Sequence, residues 1–340
     1  MRIYKNYSLK NFNTFGIDAH AQQFVEYKSC HDLLSLVGKI HTPCLVIGRG
    51  SNILFKSDFP GIVLHCSNQE IHINYDESGS GYRLVEVGAG KVWDDFVAWA
   101  VYNGLSGVEN LSLIPGEVGA AAVQNIGAYG CEAKDVIEWV EYVRLSTGEV
   151  IRQQASELHY SYRQSIFKQD LKDDCALLKV CFRLSTVFSP RLEYGALQSK
   201  LNSLGVHEGS SELTPAFIRN IIIEIRNSKL PDPKKLGNAG SFFMNPIVSH
   251  SEFERLHSLY PDIPFYEQEG GVKIPAGWLI EQCGWKGRTM GNVGVYDRQA
   301  LVLVNHGGAS GSDIVALSES IRSDVKSKFG IDIFPEVKFV

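Results

Sequence analysis

The stretch LIPGEVGAAAVQNIGAYG, residues 113–130, is the part of the chain that says most about its fold. It holds four glycines and four alanines in eighteen residues. Glycine permits left-handed backbone conformations and lets a ligand approach the main chain closely. Successive N–H groups of such a segment can form a concavity that binds a diphosphate. The same composition is also typical of a packed turn and buried strand without a ligand, so both interpretations stay open on this stretch alone.

The composition indicates a soluble globular protein. Its 340 residues predict two or three domains. The net charge of −5 argues against a nucleic-acid-binding surface. No apolar run reaches the roughly 20 residues of a membrane span. We therefore expect neither nucleic acid nor membrane as a partner.

The cysteines and the N-terminus indicate where the protein works. The seven cysteines are scattered and odd in number, and none forms a Cys-x-x-Cys pair. This pattern argues against a disulfide framework and against a zinc site. The first residues lack the apolar core of a signal peptide. A reducing cytoplasm and no bound metal are the expectation.

A second glycine-rich segment, Gly48-Arg49-Gly50-Ser51-Asn52, follows the apolar run at residues 44–47. This order is typical of a buried strand that ends in a loop. The segment does not match the Gly-x-Gly-x-x-Gly pattern of Rossmann folds. It could hold a phosphate through its backbone N–H groups, or it could be a plain turn.

Three polar residues lie in distinctive surroundings. Arg163 lies between aromatic and small polar residues, where a guanidinium could bind a carboxylate as a fork. Ser241 follows a glycine and precedes two phenylalanines, outside any Gly-x-Ser-x-Gly pattern. Glu336 lies in an apolar terminal segment, where a buried carboxylate is costly unless it is paired or functional. The alternatives are a surface arginine, a turn serine and an outward-facing strand residue.

The hydrophobic periodicity predicts the main elements. Helices are expected at residues 31–37, 92–103, 276–284 and 312–329, with Ser312 as the N-cap of the last, and another helix is expected to begin at Pro215. Apolar runs predict strands at residues 136–145, 175–184, 301–304 and 331–340.

Taken together, these segments resemble the UDP-N-acetylenolpyruvoylglucosamine reductases, also called UDP-N-acetylmuramate dehydrogenases. The resemblance runs from Asn13 to Phe339 and rests on six motifs in order: residues 48–52, 114–130, 162–167, 237–243, 276–280 and 335–337. Residues 194–195, 229–233 and 266 resemble the longer subtype of the family, whose tyrosine-bearing loop closes over the substrate. One departure is Arg49, where a small or acidic residue is more usual. Another is the end of the chain shortly after Glu336.

The resemblance implies an α+β fold. A two-subdomain FAD-binding module of the vanillyl-alcohol-oxidase type is expected, together with an α+β substrate-binding domain. The first FAD subdomain would span residues 1–67, completed by a strand at 331–340. The second would span residues 68–205, and the substrate-binding domain residues 206–330.

The resemblance also implies an activity. It is that of an FAD-containing, NADPH-dependent oxidoreductase. Such an enzyme reduces the enolpyruvyl group of UDP-N-acetylglucosamine enolpyruvate to a lactyl ether, giving UDP-N-acetylmuramate for peptidoglycan synthesis. By similarity, Arg163 and Glu336 stabilise the enolic intermediate and Ser241 donates the proton to C2. A monomer acting on these small molecules is expected.

The resemblance assigns two further sets of residues. FAD is expected at Gly48, Arg49, Gly50, Ser51, Asn52, Ile114, Pro115, Gly116, Gly119, Ala120, Gln124, Asn125, Gly127, Ala128 and Tyr129. Substrate is expected at Tyr194, Lys229, Asn245, Tyr266 and Gln299.

Two alternatives from other classes remain. One is a flavin-dependent oxidase of the same fold that acts on sugars or alcohols. The other is a non-enzymatic sugar-nucleotide-binding protein or flavin sensor, which would leave Arg163, Ser241 and Glu336 without a joint purpose.

Overall fold

The computed structural model describes residues 1–40, 42–74, 81–268 and 270–340. These residues contain helices α1 to α8: Cys30–Leu34, Trp93–Tyr102, Val118–Gln124, Gly195–Ser203, Pro215–Lys229, His250–Leu259, Ala276–Gln282 and Gly311–Phe329. They also contain strands β1 to β20: Arg2–Ser8, His20–Tyr27, Cys44–Ile47, Ile53–Leu54, Phe59–Cys66, Ile71–Asn74, Tyr82–Gly88, Gly127–Ala128, Cys131–Glu132, Ile137–Arg144, Val150–Gln154, Cys175–Ser185, Gly237–Ser241, Ile247–Val248, Tyr266–Gln268, Gly271–Lys273, Thr289–Met290, Val293–Val295, Val302–Asn305 and Lys338–Phe339.

The chain divides into two compact units. Unit 1 comprises Met1–Tyr7, Ala21–Arg49 and Pro60–Arg226. Unit 2 comprises Ser8–His20, Gly50–Phe59 and Asn227–Val340. The finer division into three domains stays a prediction.

The described part of unit 1 contains two larger sheets and the short pair β8-β9. The four-stranded sheet has the order β1-β2-β5-β3, and its strands β3 and β5 are parallel, with Ile47 opposite His65. The five-stranded sheet has the order β11-β10-β12-β7-β6 and is antiparallel throughout. Because β3 and β5 are parallel, their carboxyl ends lie at the same edge of the sheet. The segment at residues 48–52 begins at that edge.

Helix α2 confirms the helix predicted at residues 92–103 and turns one apolar face into the core. The buried residues Trp93, Phe96, Val97 and Ala100 recur at helical spacing. Phe96 packs on Phe182 of the five-stranded sheet, with ring centroids 4.7 Å apart. Burying one such side chain stabilises the fold by about 1.5–3 kcal/mol.

Unit 2 contains the antiparallel sheet β13-β19-β18-β17, the small sheet β14-β16-β15 and the parallel pair β20-β4. Its longest helix, α8, is capped by Ser310, whose hydroxyl accepts a hydrogen bond from the amide of Asp313. The prediction of Ser312 as N-cap was wrong by two residues. Ser310 was favoured because Asp313 closes a capping box with it, which Ser312 cannot do.

Two other expectations need correction. The packed turn and buried strand, one of the two interpretations left open for the 113–130 stretch, is wrong for its middle, which is helix α3. Its small residues allow close packing, since a Cβ on Gly119 would lie 2.9 Å from the Cβ of Ala89. The predicted strand at residues 331–340 is a ladder only at Lys338–Phe339, preceded by a bridge between Phe243 and Pro335. Proline has no N–H to donate, which limits the pairing of this segment.

Candidate functional site

Arg163 lies against the glycine-rich stretch within unit 1. Its Nη2 donates a hydrogen bond to the carbonyl oxygen of Gly127 at 3.0 Å, and Nη1 donates to that of Asn125 at 3.4 Å. The Nδ2 of Asn125 in turn donates to the carbonyl oxygen of Ser161 at 3.0 Å. The fold therefore brings the predicted catalytic arginine together with two predicted flavin-binding residues.

The backbone of these segments is strained. Leu113, Asn125, Tyr129 and Arg163 have φ angles of +58°, +45°, +49° and +58°. A left-handed conformation costs a residue other than glycine roughly 1–2 kcal/mol. Such strain is characteristic of functional sites, where the surrounding structure over-determines the conformation. Its concentration in two motif segments singles them out as a candidate site.

Tyr129 and Tyr194 are in contact. Their rings pack edge to face with centroids 5.3 Å apart. The guanidinium of Arg226 on α5 lies close to the phenol of Tyr129, and the buried Nε of Arg226 has no hydrogen-bond partner among the described residues. Burial lowers the pKa of Arg226 and raises that of Tyr129. A residue predicted for flavin and one predicted for substrate thus meet beside an arginine that the sequence analysis missed.

An ion pair that the sequence analysis did not predict holds the start of the glycine-rich stretch. Arg219 of α5 binds Asp94 of α2 through two nitrogens, at 2.6 Å and 2.8 Å. The carboxylate of Asp94 also accepts the amide of Leu113 at 2.5 Å. Burial would raise the pKa of Asp94, but the hydrogen bonds from Arg219 and Leu113 outweigh it and hold the pKa below its ordinary value. The sequence signal was the spacing of Arg219 and Arg226, two turns apart on an apolar helix.

The first half of the 48–52 segment contacts the residue before α3. The Nε of Arg49 donates to Glu117 at 3.1 Å, and the same carboxylate contacts the Nε2 of His65 at 3.1 Å and 3.2 Å. A Cβ on Gly48 would lie 3.1 Å from Glu117 and 3.4 Å from the Cβ of Ala120. The two segments predicted for flavin are therefore in direct contact within unit 1.

Ser241 and Glu336 belong to unit 2. Ser241 is exposed at the end of β13, opposite Val302 and after a break in the strand register. The amide of Glu336 donates to the carbonyl oxygen of Phe242 at 2.8 Å. The Nδ2 of Asn52 donates to the carbonyl oxygen of Glu336 at 3.3 Å. The predicted proton donor, the predicted carboxylate and one predicted flavin-binding residue thus lie on adjoining segments.

Two predicted substrate residues, Asn245 and Gln299, each lie next to the first turn of α7 in unit 2. The Oδ1 of Asn245 accepts the amide of Ala276 at 2.9 Å. The Oε1 of Gln299 lies 3.2 Å from the position of a Cβ on Gly277. Tyr266 is 57% exposed on β15, below the ammonium of Lys273. Lys229 ends α5 and is exposed.

The described part of the chain contains no group of three or more His, Cys, Asp or Glu side chains that could hold a metal ion. None of its helices combines the length and the apolar character needed to cross a membrane.

Two family models match separate segments of the sequence. Residues 23–154 match the FAD binding domain model, and residues 232–340 match the C-terminal domain model of UDP-N-acetylenolpyruvoylglucosamine reductase. A UDP-N-acetylenolpyruvoylglucosamine reductase of Bacteroides fragilis is 49% identical over 339 residues, which is 99% of either chain. The chain belongs to this family. The reductase of Porphyromonas gingivalis is 48% identical over 349 residues and is covered completely.

Solved structures agree on the fold. The UDP-N-acetylenolpyruvylglucosamine reductase of Thermus caldophilus aligns with a TM-score of 0.68 at 23% identity, covering 100% of this chain and 99% of that one. A flavoprotein of the vanillyl-alcohol-oxidase type from Myceliophthora thermophila aligns with a TM-score of 0.50 at 12% identity, over 92% of this chain and 70% of that one. The predicted fold class, family and FAD-containing oxidoreductase class are confirmed. Membership of a reductase family also decides against the oxidase alternative.

The residues at the candidate site fit FAD chemically. The 48–52 segment offers glycine backbone, the hydroxyl of Ser51 and a half-exposed guanidinium on Arg49, which is a donor set suited to a diphosphate. Gly50 has a φ of +62°, and a Cβ there would collide with the carbonyl oxygen of Phe12. Glycine is therefore required at this point of the segment.

Proposed function

We propose that this chain reduces the enolpyruvyl group of UDP-N-acetylglucosamine enolpyruvate to a lactyl ether, with FAD as bound cofactor and NADPH as reductant. The observation that carries the proposal is the position of Arg163, whose guanidinium is held on the carbonyls of Asn125 and Gly127. A fixed guanidinium beside the glycine-rich stretch suits a substrate that carries a carboxylate. Bound FAD would supply hydride, derived from NADPH, to C3 of the enolpyruvyl double bond.

The residues of the chain handle the charge and the proton. Hydride addition at C3 leaves a pair of electrons at C2, which spreads into the carboxylate as an enolate. Arg163 stabilises this negative charge, as a preorganised donor does in an oxyanion hole. Glu336 shares this role, either as a protonated carboxyl group or by orienting the guanidinium.

Ser241 delivers the proton to C2, which completes the saturated lactyl ether. A serine hydroxyl is a poor acid, so it protonates only a strongly basic carbon. The enolate is such a base, whereas the intermediates of acyl transfer are not. The exposure of Ser241 at the end of β13 supports access to a bound substrate.

Five side chains are proposed to bind the sugar nucleotide: Tyr194, Lys229, Asn245, Tyr266 and Gln299. The exposed ammonium of Lys229 is a suitable point charge for a diphosphate. Tyr194 and Tyr266 are 49% and 57% exposed, which supports their availability to a ligand. We further infer a monomer that works in the cytoplasm on small molecules alone.

The visible spectrum of the purified protein tests this function. A flavin absorption band should be bleached by NADPH under anaerobic conditions and should return when UDP-N-acetylglucosamine enolpyruvate is added. A protein without flavin would refute the proposal. So would a flavin that NADPH does not bleach, or one that recovers with oxygen but not with the enolpyruvyl substrate.

A further inference from the structure

Arg49, Glu117 and His65 form a hydrogen-bonded network within unit 1. We propose that the buried carboxylate of Glu117, supported by His65, orients Arg49 so that its terminal nitrogens bind the diphosphate of FAD. The inference rests on the proposed function, because it concerns the same cofactor. It adds two positioning residues, Glu117 and His65, and gives the Arg49 side chain a specific contact.

The burial of Glu117 requires partners. Its side chain is 2% exposed, and that of His65 is 8% exposed. A buried carboxylate is costly unless it is paired and hydrogen-bonded. Glu117 is the N-cap residue of α3, yet its side chain makes no capping hydrogen bond. It is turned instead toward Arg49 and His65, so its contacts serve the 48–52 segment.

The strand register brings the network together. His65 lies on β5 directly opposite Ile47, the last residue of the parallel strand β3. Arg49 follows Ile47 by two residues, so both side chains emerge at the carboxyl edge of these strands. In α/β proteins, ligands commonly bind beyond the carboxyl ends of parallel strands. Stacking of His65 on Phe24, with ring centroids 5.9 Å apart, fixes the imidazole at this edge.

Arg49 keeps donors available. Its contact with Glu117 uses Nε, and Nη1 and Nη2 have no hydrogen-bond partner among the described residues. The side chain is 49% exposed. A guanidinium held by one edge can present its other nitrogens to a phosphate as a fork. Such a contact supplements the backbone amides that the glycines of the segment expose.

The charges predict an order of affinities among variants. In Arg49→Met, the carboxylate of Glu117 loses its cation and opposes a diphosphate. Glu117→Gln leaves the cation in place but holds it less firmly. The double variant removes both charges, so it should bind FAD better than Arg49→Met alone. Such a gain in FAD affinity indicates that the two residues are coupled. If they acted independently, the losses of affinity in the two single variants would simply add in the double variant.

The experiment titrates each apoprotein with FAD and with riboflavin, which lacks the diphosphate, and follows flavin fluorescence. Arg49→Met should weaken FAD binding by about tenfold or more, as expected for a charged hydrogen bond. Its affinity for riboflavin should be unchanged. Higher salt should weaken FAD binding less in this variant than in the wild type, because a screened charge contact has been removed.

Arg152→Met is the matched control. Arg152 is also 49% exposed and is paired with a carboxylate, Glu141, at 3.0 Å, but it lies on β11. It should bind FAD like the wild type. Melting of each apoprotein shows whether a variant is folded. If Glu117→Gln alone does not fold, comparison of the double variant with Arg49→Met still tests whether removing the unpaired carboxylate restores FAD binding.

The possible results distinguish a failure of the proposed network from a failure of the proposed function. An Arg49→Met protein that binds FAD like the wild type, or that loses FAD and riboflavin equally, would overturn the network. Additive effects in the double variant would also overturn it. A wild-type protein that binds no FAD would instead refute the proposed function itself.

Discussion

The amide of Glu336 donates a 2.8 Å hydrogen bond to the carbonyl oxygen of Phe242, the neighbour of Ser241. This bond joins two segments that are far apart in the sequence. It belongs to the backbone, so it persists when either functional side chain is replaced. Substitutions of Ser241 and Glu336 can therefore test chemistry without removing the contact that aligns their segments.

Replacing Ser241 by alanine should separate the two half-reactions. Flavin reduction by NADPH should keep its wild-type rate, because it needs no proton at C2. Turnover of the enolpyruvyl substrate should collapse, because the proton donor is gone. Stopped-flow absorbance measures both steps. Ser258→Ala, an exposed serine of α6, is the control. Equal loss of both steps in Ser241→Ala would make Ser241 a structural residue.

Glu336→Gln replaces the carboxyl group by an amide of nearly the same volume. Turnover should fall about a hundredfold or more, the usual scale for losing one electrostatic contact to a developing charge. Flavin reduction by NADPH should be unaffected. Asp332→Asn is a suitable control, since Asp332 lies in the same terminal segment and pairs with Lys326 at the surface. Wild-type turnover in Glu336→Gln would exclude Glu336 from the chemistry.

Arg163→Lys keeps the positive charge but loses the fork. A lysine cannot hold the carbonyls of Gly127 and Asn125 and also bind a carboxylate in two places. We expect kcat to fall about 10²–10³-fold. Steady-state kinetics and the rate of flavin reduction measure the effect. In the control Arg183→Lys, the replaced arginine lies over the ring of Tyr82 and makes no hydrogen bond to these carbonyls. Undiminished kcat in Arg163→Lys would contradict the proposed role.

Gly50→Ala should destabilise the protein more than Gly16→Ala. The two glycines have similar φ angles, +62° and +68°, so both variants pay roughly 1–2 kcal/mol for the backbone conformation. An added Cβ at Gly16 meets nothing within 4 Å, whereas at Gly50 it collides with Phe12. Thermal melting compares the variants, and FAD titration should show weaker binding in Gly50→Ala. Equal melting temperatures would contradict the steric argument.

Asp94→Asn should lower stability in a pH-dependent way. The folded-state pKa of Asp94 is below its ordinary value. Its stabilising contribution is therefore fully present above about pH 3.9, the unfolded value, and is lost as the pH falls through the folded value. We expect a loss of about 1–3 kcal/mol at pH 7 that shrinks in acid.

Urea denaturation at several pH values measures this effect. Asp95→Asn, the exposed neighbouring residue, is the matched control and should change little. A deficit in Asp94→Asn that stays constant down to pH 3 would mean that the charge of Asp94 does not stabilise the fold.

Hydrophobic periodicity predicted helices and strands of unit 1 that bury one face. Helix α2 and strand β12 were predicted within a residue or two of their bounds. Helix α3 was missed, because a run of glycine and alanine has no apolar period to mark a face. Asp94–Arg219 and Glu117–His65 were missed for another reason, since each pair joins positions far apart in the chain.

The sequence by itself determined the family and the FAD-binding class, because six ordered motifs identify a family without any coordinates. The chemical roles of Arg163, Ser241 and Glu336 stay predictions. The tertiary structure alone decided which side chains meet: Arg163 on the carbonyls of Asn125 and Gly127, and Arg49 on Glu117. Ion pairs and hydrogen bonds form between groups brought within about 3 Å. Local sequence patterns cannot specify such distances between remote segments, because the packing of the whole chain sets them.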